Sequence, residues 1–157
     1  MLVTLVLKDC SAEYHDLDYR PCIDDYEDYE DPTYFLDCHN DFAKDIADAF
    51  RRNSANTNVS AIIIDMVDDM TDEIMDDIFD SLSSSAQSLT SVYMARMPVT
   101  RVPENIGQFS AIRYFEMNEV SIKTLPSGAL NFPTGLEMLY FYDSQIETIE
   151  AGALQGF

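Results

Sequence analysis

The chain has 157 residues, enough for one domain or a short run of stacked units, and its 46% hydrophobic content argues against wholesale disorder. It carries 29 acidic against 9 basic residues, a net charge of −20. That balance excludes general affinity for nucleic-acid backbones and for anionic membrane surfaces, which need lysine and arginine; it favours a basic partner or divalent cations.

No apolar run approaches the roughly 20 residues that span a bilayer, so membrane insertion is not expected. Met1 to Leu7 resembles a signal-peptide core but is short and lacks a basic leader. Two readings stand, the remnant of a signal peptide over residues 1–9 or a first strand, and the abrupt change after Lys8 favours the first.

Cys10, Cys22 and Cys38 all precede the repeats described below. Residues 10–50 are therefore read as an N-terminal cap, which covers the apolar cross-section that a stack would otherwise show to water. A small segment with little core is commonly stapled by disulfides in an oxidising compartment. Three cysteines leave one odd thiol, and the alternative is three reduced, unrelated cysteines. With His15 and His39 as the only histidines and no Cys-x-x-Cys, neither a zinc site nor any other metal centre is expected.

Asp24 to Pro32 is dense in acid and reads as a solvated loop. Its Tyr26 and Tyr29 have the acidic flanks preferred for tyrosine sulfation in secreted proteins. Phe42, Ile46, Ala49 and Phe50 then fall at helical spacing, with Asp41 as N-cap. Arg51 to Asn58 is a polar loop, and Asn58-Val59-Ser60 is an N-glycosylation sequon, effective if Asn58 faces outward.

Residues 51–157 form the repeat region. Val59, Ile62 and Ile64 open it with a strand near 60–65. Met70, Ile74, Met75, Ile78, Phe79 and Leu82 mark an amphipathic helix, with Asp69 or Thr71 near its start. Asp72, Glu73, Asp76, Asp77 and Asp80 are expected to form its wet side; their spacing is not that of a calcium loop.

Three regular copies follow: Leu89, Val92, Met94, Met97, Val99, Val102; Ile112, Phe115, Met117, Val120, Ile122, Leu125; and Leu136, Leu139, Phe141, Ser144, Ile146, Ile149. Each keeps offsets 0, 3, 5, 8, 10 and 13, and the starts lie 23 and 24 residues apart. Such a unit cannot bury its apolar face alone and must stack on its neighbours. Strands are expected near 90–95, 113–118 and 137–142, with offsets 3 and 5 inward and offsets 2, 4 and 6 outward. The outward rows are Ser91, Tyr93, Ala95; Tyr114, Glu116, Asn118; and Met138, Tyr140, Tyr142, with Arg96, Glu119 and Asp143 at offset 7. Tyrosines framed by charge across adjacent strands have the composition of an interface. Tyr93, Arg96, Tyr114, Glu116, Asn118, Tyr140, Tyr142 and Asp143 are accordingly the candidate partner-binding residues. The plain alternative is that tyrosine simply suits strands.

The Leu-x-x-Leu-x-Leu spacing over residues 59–157 resembles that of leucine-rich repeats, and the cysteine segment before it is similar to the cap of extracellular members of that family. The resemblance implies an α/β solenoid with a curved parallel sheet of short strands, a helical or irregular convex side, and a disulfide-stapled cap. By the family's crossed pairing, Cys22 would bond Cys38 and Cys10 would be left unpaired, because Asp24 stands where a further cysteine is usual. The family's turn asparagine is replaced by Met97, Val120 and Ser144, so an asparagine ladder is not expected. The chain stops at Phe157 within a return path, which reads as truncation of the array.

No Gly-rich phosphate loop, Gly-x-Ser-x-Gly or His-Glu-x-x-His is present, so neither an enzyme nor a cofactor is expected. The favoured expectation is a secreted, non-catalytic interaction module whose concave tyrosine and acid face takes a protein ligand or partner subunit with a basic surface. The alternative is an acidic cation-binding or solubilising subunit of an extracellular complex, resting on charge alone.

Overall fold

The computed structural model describes residues 23–24, 34–39, 42–52, 54–55 and 59–154. Cys10, Cys22, Tyr26, Tyr29, Asp41 and Asn58 lie outside the described residues, and so do the disulfide, sulfation, capping and glycosylation expectations placed on them. The described elements are β1 (Ile23–Asp24), β2 (Tyr34–His39), α1 (Ala43–Arg52), β3 (Val59–Asp65), α2 (Asp72–Ser81), β4 (Ser91–Met97), β5 (Tyr114–Val120), β6 (Thr124–Leu125), β7 (Met138–Tyr142) and β8 (Thr148–Ile149). The protein is α/β, with a parallel sheet of short strands. Its main sheet has the order β1-β2-β3-β4-β5-β7, and β6 and β8 form a second small sheet. Among the described strands, only the β1–β2 pair is antiparallel.

Strand alternation explains why one face became the core. Leu36, Cys38, Ile62, Ile64, Val92, Met94, Phe115 and Met117 point to the same side and are at most 1% exposed. They join one apolar cluster with Ile46, Ala47 and Phe50 of α1 and Met75, Ile78 and Phe79 of α2. The last strand is less well covered, since Leu139, Phe141 and Ile146 are only partly buried and Ile149 is exposed.

The inward positions run 3, 5 and 8 instead of 3, 5 and 7, and the backbone shows why. Met66, Arg96, Glu119 and Asp143 all have positive φ, from 47° to 55°. A left-handed residue at this place adds one position to the strand, turns its own side chain outward, and brings the next residue back to the core. All four are exposed, whereas Val67, Met97 and Val120 directly after the first three are buried. This bend needs no side-chain ladder. In the return path, Gly128 and Gly152 take φ of 77° and 89°, and the Gly128 amide donates to the Gly152 carbonyl at 3.2 Å.

Two local expectations are corrected, and the choice between two caps for α2 is resolved. Phe42 is 70% exposed because α1 begins after it, at Ala43, leaving Phe42 off the apolar stripe. Thr71 caps α2, its Oγ1 accepting from Ile74 N at 3.2 Å. Asp69 instead accepts from Ala43 N at 2.9 Å, at the start of α1.

The other correction concerns the acids of α2, which do not all face water. Asp72, Asp76 and Asp80 form one i, i+4, i+8 ridge against the loop after β4. Asp72 accepts from Thr100 N at 2.8 Å. Asp76 takes both Arg101 Nη groups and Glu104 N (3.0 Å), and Asp80 accepts from Asn105 Nδ2. No helix among the described residues is long and apolar enough to cross a membrane.

Candidate functional site

The face opposite the helices is set by register. Ile63, Tyr93, Glu116 and Tyr140 form one cross-strand row over β3, β4, β5 and β7. Ala61, Ser91, Tyr114 and Met138 form the row before it, and Asp65, Ala95, Asn118 and Tyr142 the row after. Directly opposed residues in a sheet sit close enough to make these rows continuous surfaces. Exposure rises across the middle and last rows. Ile63 is 7% exposed, Tyr93 and Glu116 are half-buried, and Tyr140 and Tyr142 reach 47% and 63%. Ala95, read from the sequence as an outward residue, is buried, so the open part of the face lies over β5 and β7.

Tyr114 and Tyr140 lean together with ring centroids 5.8 Å apart and planes at 44°. The Tyr114 hydroxyl donates to Glu116 Oε2, and the Tyr140 hydroxyl lies 3.7 Å from Met138 Sδ. Burial holds the Glu116 carboxyl above the usual glutamate range. Burial also raises the Tyr93 phenol, opposed by a side-chain hydrogen bond with Asn118 and reinforced by the charges of Asp65 and Glu116. The Asn118 Oδ1 is buried and makes no hydrogen bond. Tyr93, Tyr114, Glu116, Asn118, Tyr140 and Tyr142 thus share one continuous surface.

Arg96 and Asp143 follow the three rows at offset 7. Both have left-handed backbone. Arg96 reaches back to β3, where its Nε donates to Asp65 Oδ1 at 2.8 Å and its Nη2 to Oδ2. That pairing raises the Arg96 guanidinium above its ordinary value. Asp65 is 1% exposed and was missed as part of the site. Its signal in the sequence is an acid at the outward offset 6, one copy before an arginine at offset 7. Asp143 is exposed beyond the end of β7.

The surface offers aromatic area, a half-buried carboxylate and amide groups. Among the described residues, no group of three or more histidine, cysteine, aspartate or glutamate side chains could hold a metal ion. No protein-family model, curated protein or solved structure matches the chain.

Proposed function

We propose that the chain is a secreted, leucine-rich repeat interaction module, non-catalytic, whose tyrosine and acid face docks a protein partner with a basic surface. The observation that supports this most is the in-register row of Tyr93, Glu116 and Tyr140, flanked by Tyr114, Asn118 and Tyr142. Large amphipathic rings bring contact area at low entropic cost, and a net charge of −20 favours a basic ligand. The addition of β3, β4, β5 and β7 in chain order, with the 23- and 24-residue spacing, supports the solenoid reading. A cap stapled by Cys22 and Cys38, with Cys10 unpaired, a glycan at Asn58 and sulfation at Tyr26 and Tyr29 belong to the same extracellular reading.

Selection of displayed random peptides on the immobilised chain tests the docking surface. Enriched peptides are expected to be basic and to lose binding when Tyr140→Ala and Tyr142→Ala are combined. Peptides indifferent to those replacements would refute the assignment of the face.

A further inference from the structure

We propose that Glu116, walled by Tyr93, Tyr114 and Tyr140, is the seat for the guanidinium of an arginine side chain on the partner; this rests on the docking reading above. Glu116 occupies the centre of the face, between Tyr93 on β4 and Tyr140 on β7. Its hydrogen bond within the described protein comes from the Tyr114 hydroxyl, which occupies Oε2. Among the described residues no cation pairs with it. Arg96, three residues past Tyr93 on the neighbouring strand, is committed to Asp65. Arg113 immediately precedes β5, with its Nε 3.9 Å from Glu137 and its Nη1 against the Ile112 carbonyl at 3.1 Å. A half-buried carboxylate without a counter-ion is an unfavourable arrangement that a ligand cation relieves.

The surroundings select the kind of cation. Tyr93 and Tyr140 neighbour the carboxylate in register and Tyr114 is hydrogen-bonded to it, and aromatic π faces attract a positive group. Tyr114 and Tyr140, tilted at 44° with centroids 5.8 Å apart, make a ledge and leave no room for a group between them. A planar guanidinium stacks on a ledge while its N–H fork addresses the carboxylate; a compact, strongly hydrated ammonium uses such a surface less well. The neighbouring Asn118 Oδ1, two residues along the same strand face, is a buried acceptor with no donor. The Glu116 carboxylate and this amide oxygen are both acceptors, and arginine carries five N–H donors and no acceptor.

N-acetyl-arginine amide is the probe, titrated into the full chain and followed by NMR of the Glu116 carboxyl and of the tyrosine rings. Saturable shifts are expected at Glu116, Tyr93, Tyr114 and Tyr140. N-acetyl-citrulline amide, the neutral isostere, is expected not to saturate, and N-acetyl-lysine amide to bind at least about threefold more weakly. Glu116→Gln should weaken the arginine probe about tenfold with an unchanged circular dichroism spectrum. Tyr140→Leu, at an exposed position, gives a second reading and should weaken it about threefold. Equal binding of citrulline or lysine amide, or full binding by Glu116→Gln, overturns the arginine seat. Selected peptides that need Tyr140 but tolerate Glu116→Gln and share no arginine would overturn the seat and leave the docking face standing. Probe binding as expected, with peptides landing elsewhere, would do the reverse.

Discussion

Asp65 and Arg96 form one ion pair, but they are not equivalent. The Asp65 side chain is 2% exposed and that of Arg96 43%. Removing the arginine takes the cation away from a buried carboxylate, whereas removing the carboxylate leaves an arginine that water can solvate. Arg96→Met is therefore expected to lower stability by about 2–3 kcal/mol and Asp65→Asn by about 1 kcal/mol. Urea unfolding of both and of the double variant reads the asymmetry; equal losses would contradict it. Glu116 gives a pH signature. Burial keeps its proton on to higher pH than in the unfolded chain. Its stabilising share is thus full below the ordinary glutamate range and is lost as pH rises through the raised folded value. Glu116→Gln should match the parent near about pH 3 and exceed it in stability near about pH 7, read from urea midpoints at both. Glu119 stands exposed at φ 50°. Asparagine tolerates that conformation better, so Glu119→Asn should raise stability by about 0.5 kcal/mol, whereas Glu119→Val should lower it.

At the scale of elements, α2 does two jobs with two faces. Met75, Ile78 and Phe79 fill the core, and Phe79 meets Phe109 edge to face at 5.7 Å. Asp72, Asp76 and Asp80 hold the loop that follows β4. Asp76→Ala removes a two-point contact with Arg101 and the acceptor for Glu104 N, and should cost about 1–2 kcal/mol. Asp77 lies off this ridge with a 60% exposed side chain, so Asp77→Ala should stay within about 0.5 kcal/mol. Thermal melts of the pair separate a structural ridge from a merely solvated helix face. The apolar period of α2 was readable from the sequence, but the acid ridge was not. Helical spacing shows that Asp72, Asp76 and Asp80 share a side; it does not show which loop, some 28 residues later, lies opposite. The extent of α1 was missed for a related reason. Phe42 fits the apolar spacing, yet it precedes the first helical residue.

Across the whole molecule, the offsets made β3, β4, β5 and β7 legible, because their inward residues are strongly apolar and evenly spaced. β2 was not legible as a member of the sheet. It pairs parallel with β3, Leu36 with Ile62 and Cys38 with Ile64, yet its segment, Tyr34-Phe35-Leu36-Asp37-Cys38-His39, precedes the regular repeat spacing and its cysteine drew it into the cap. The sheet therefore extends into residues assigned from sequence to the cap, and no domain break falls between β2 and β3. Of the candidate site, the tyrosine rows were legible from strand alternation. The Asp65–Arg96 pair was not, because it depends on a left-handed turn and on contact between residues 31 apart in sequence.

This face of the sheet is proposed as the working surface. Tyrosine-selective oxidation, read by mass spectrometry on the chain alone and with a selected basic peptide bound, tests it most directly. Protection at Tyr93, Tyr114, Tyr140 and Tyr142, with the tyrosines ahead of β3 unchanged, is the expected result. Bound peptide that leaves those four tyrosines as reactive as before would contradict it.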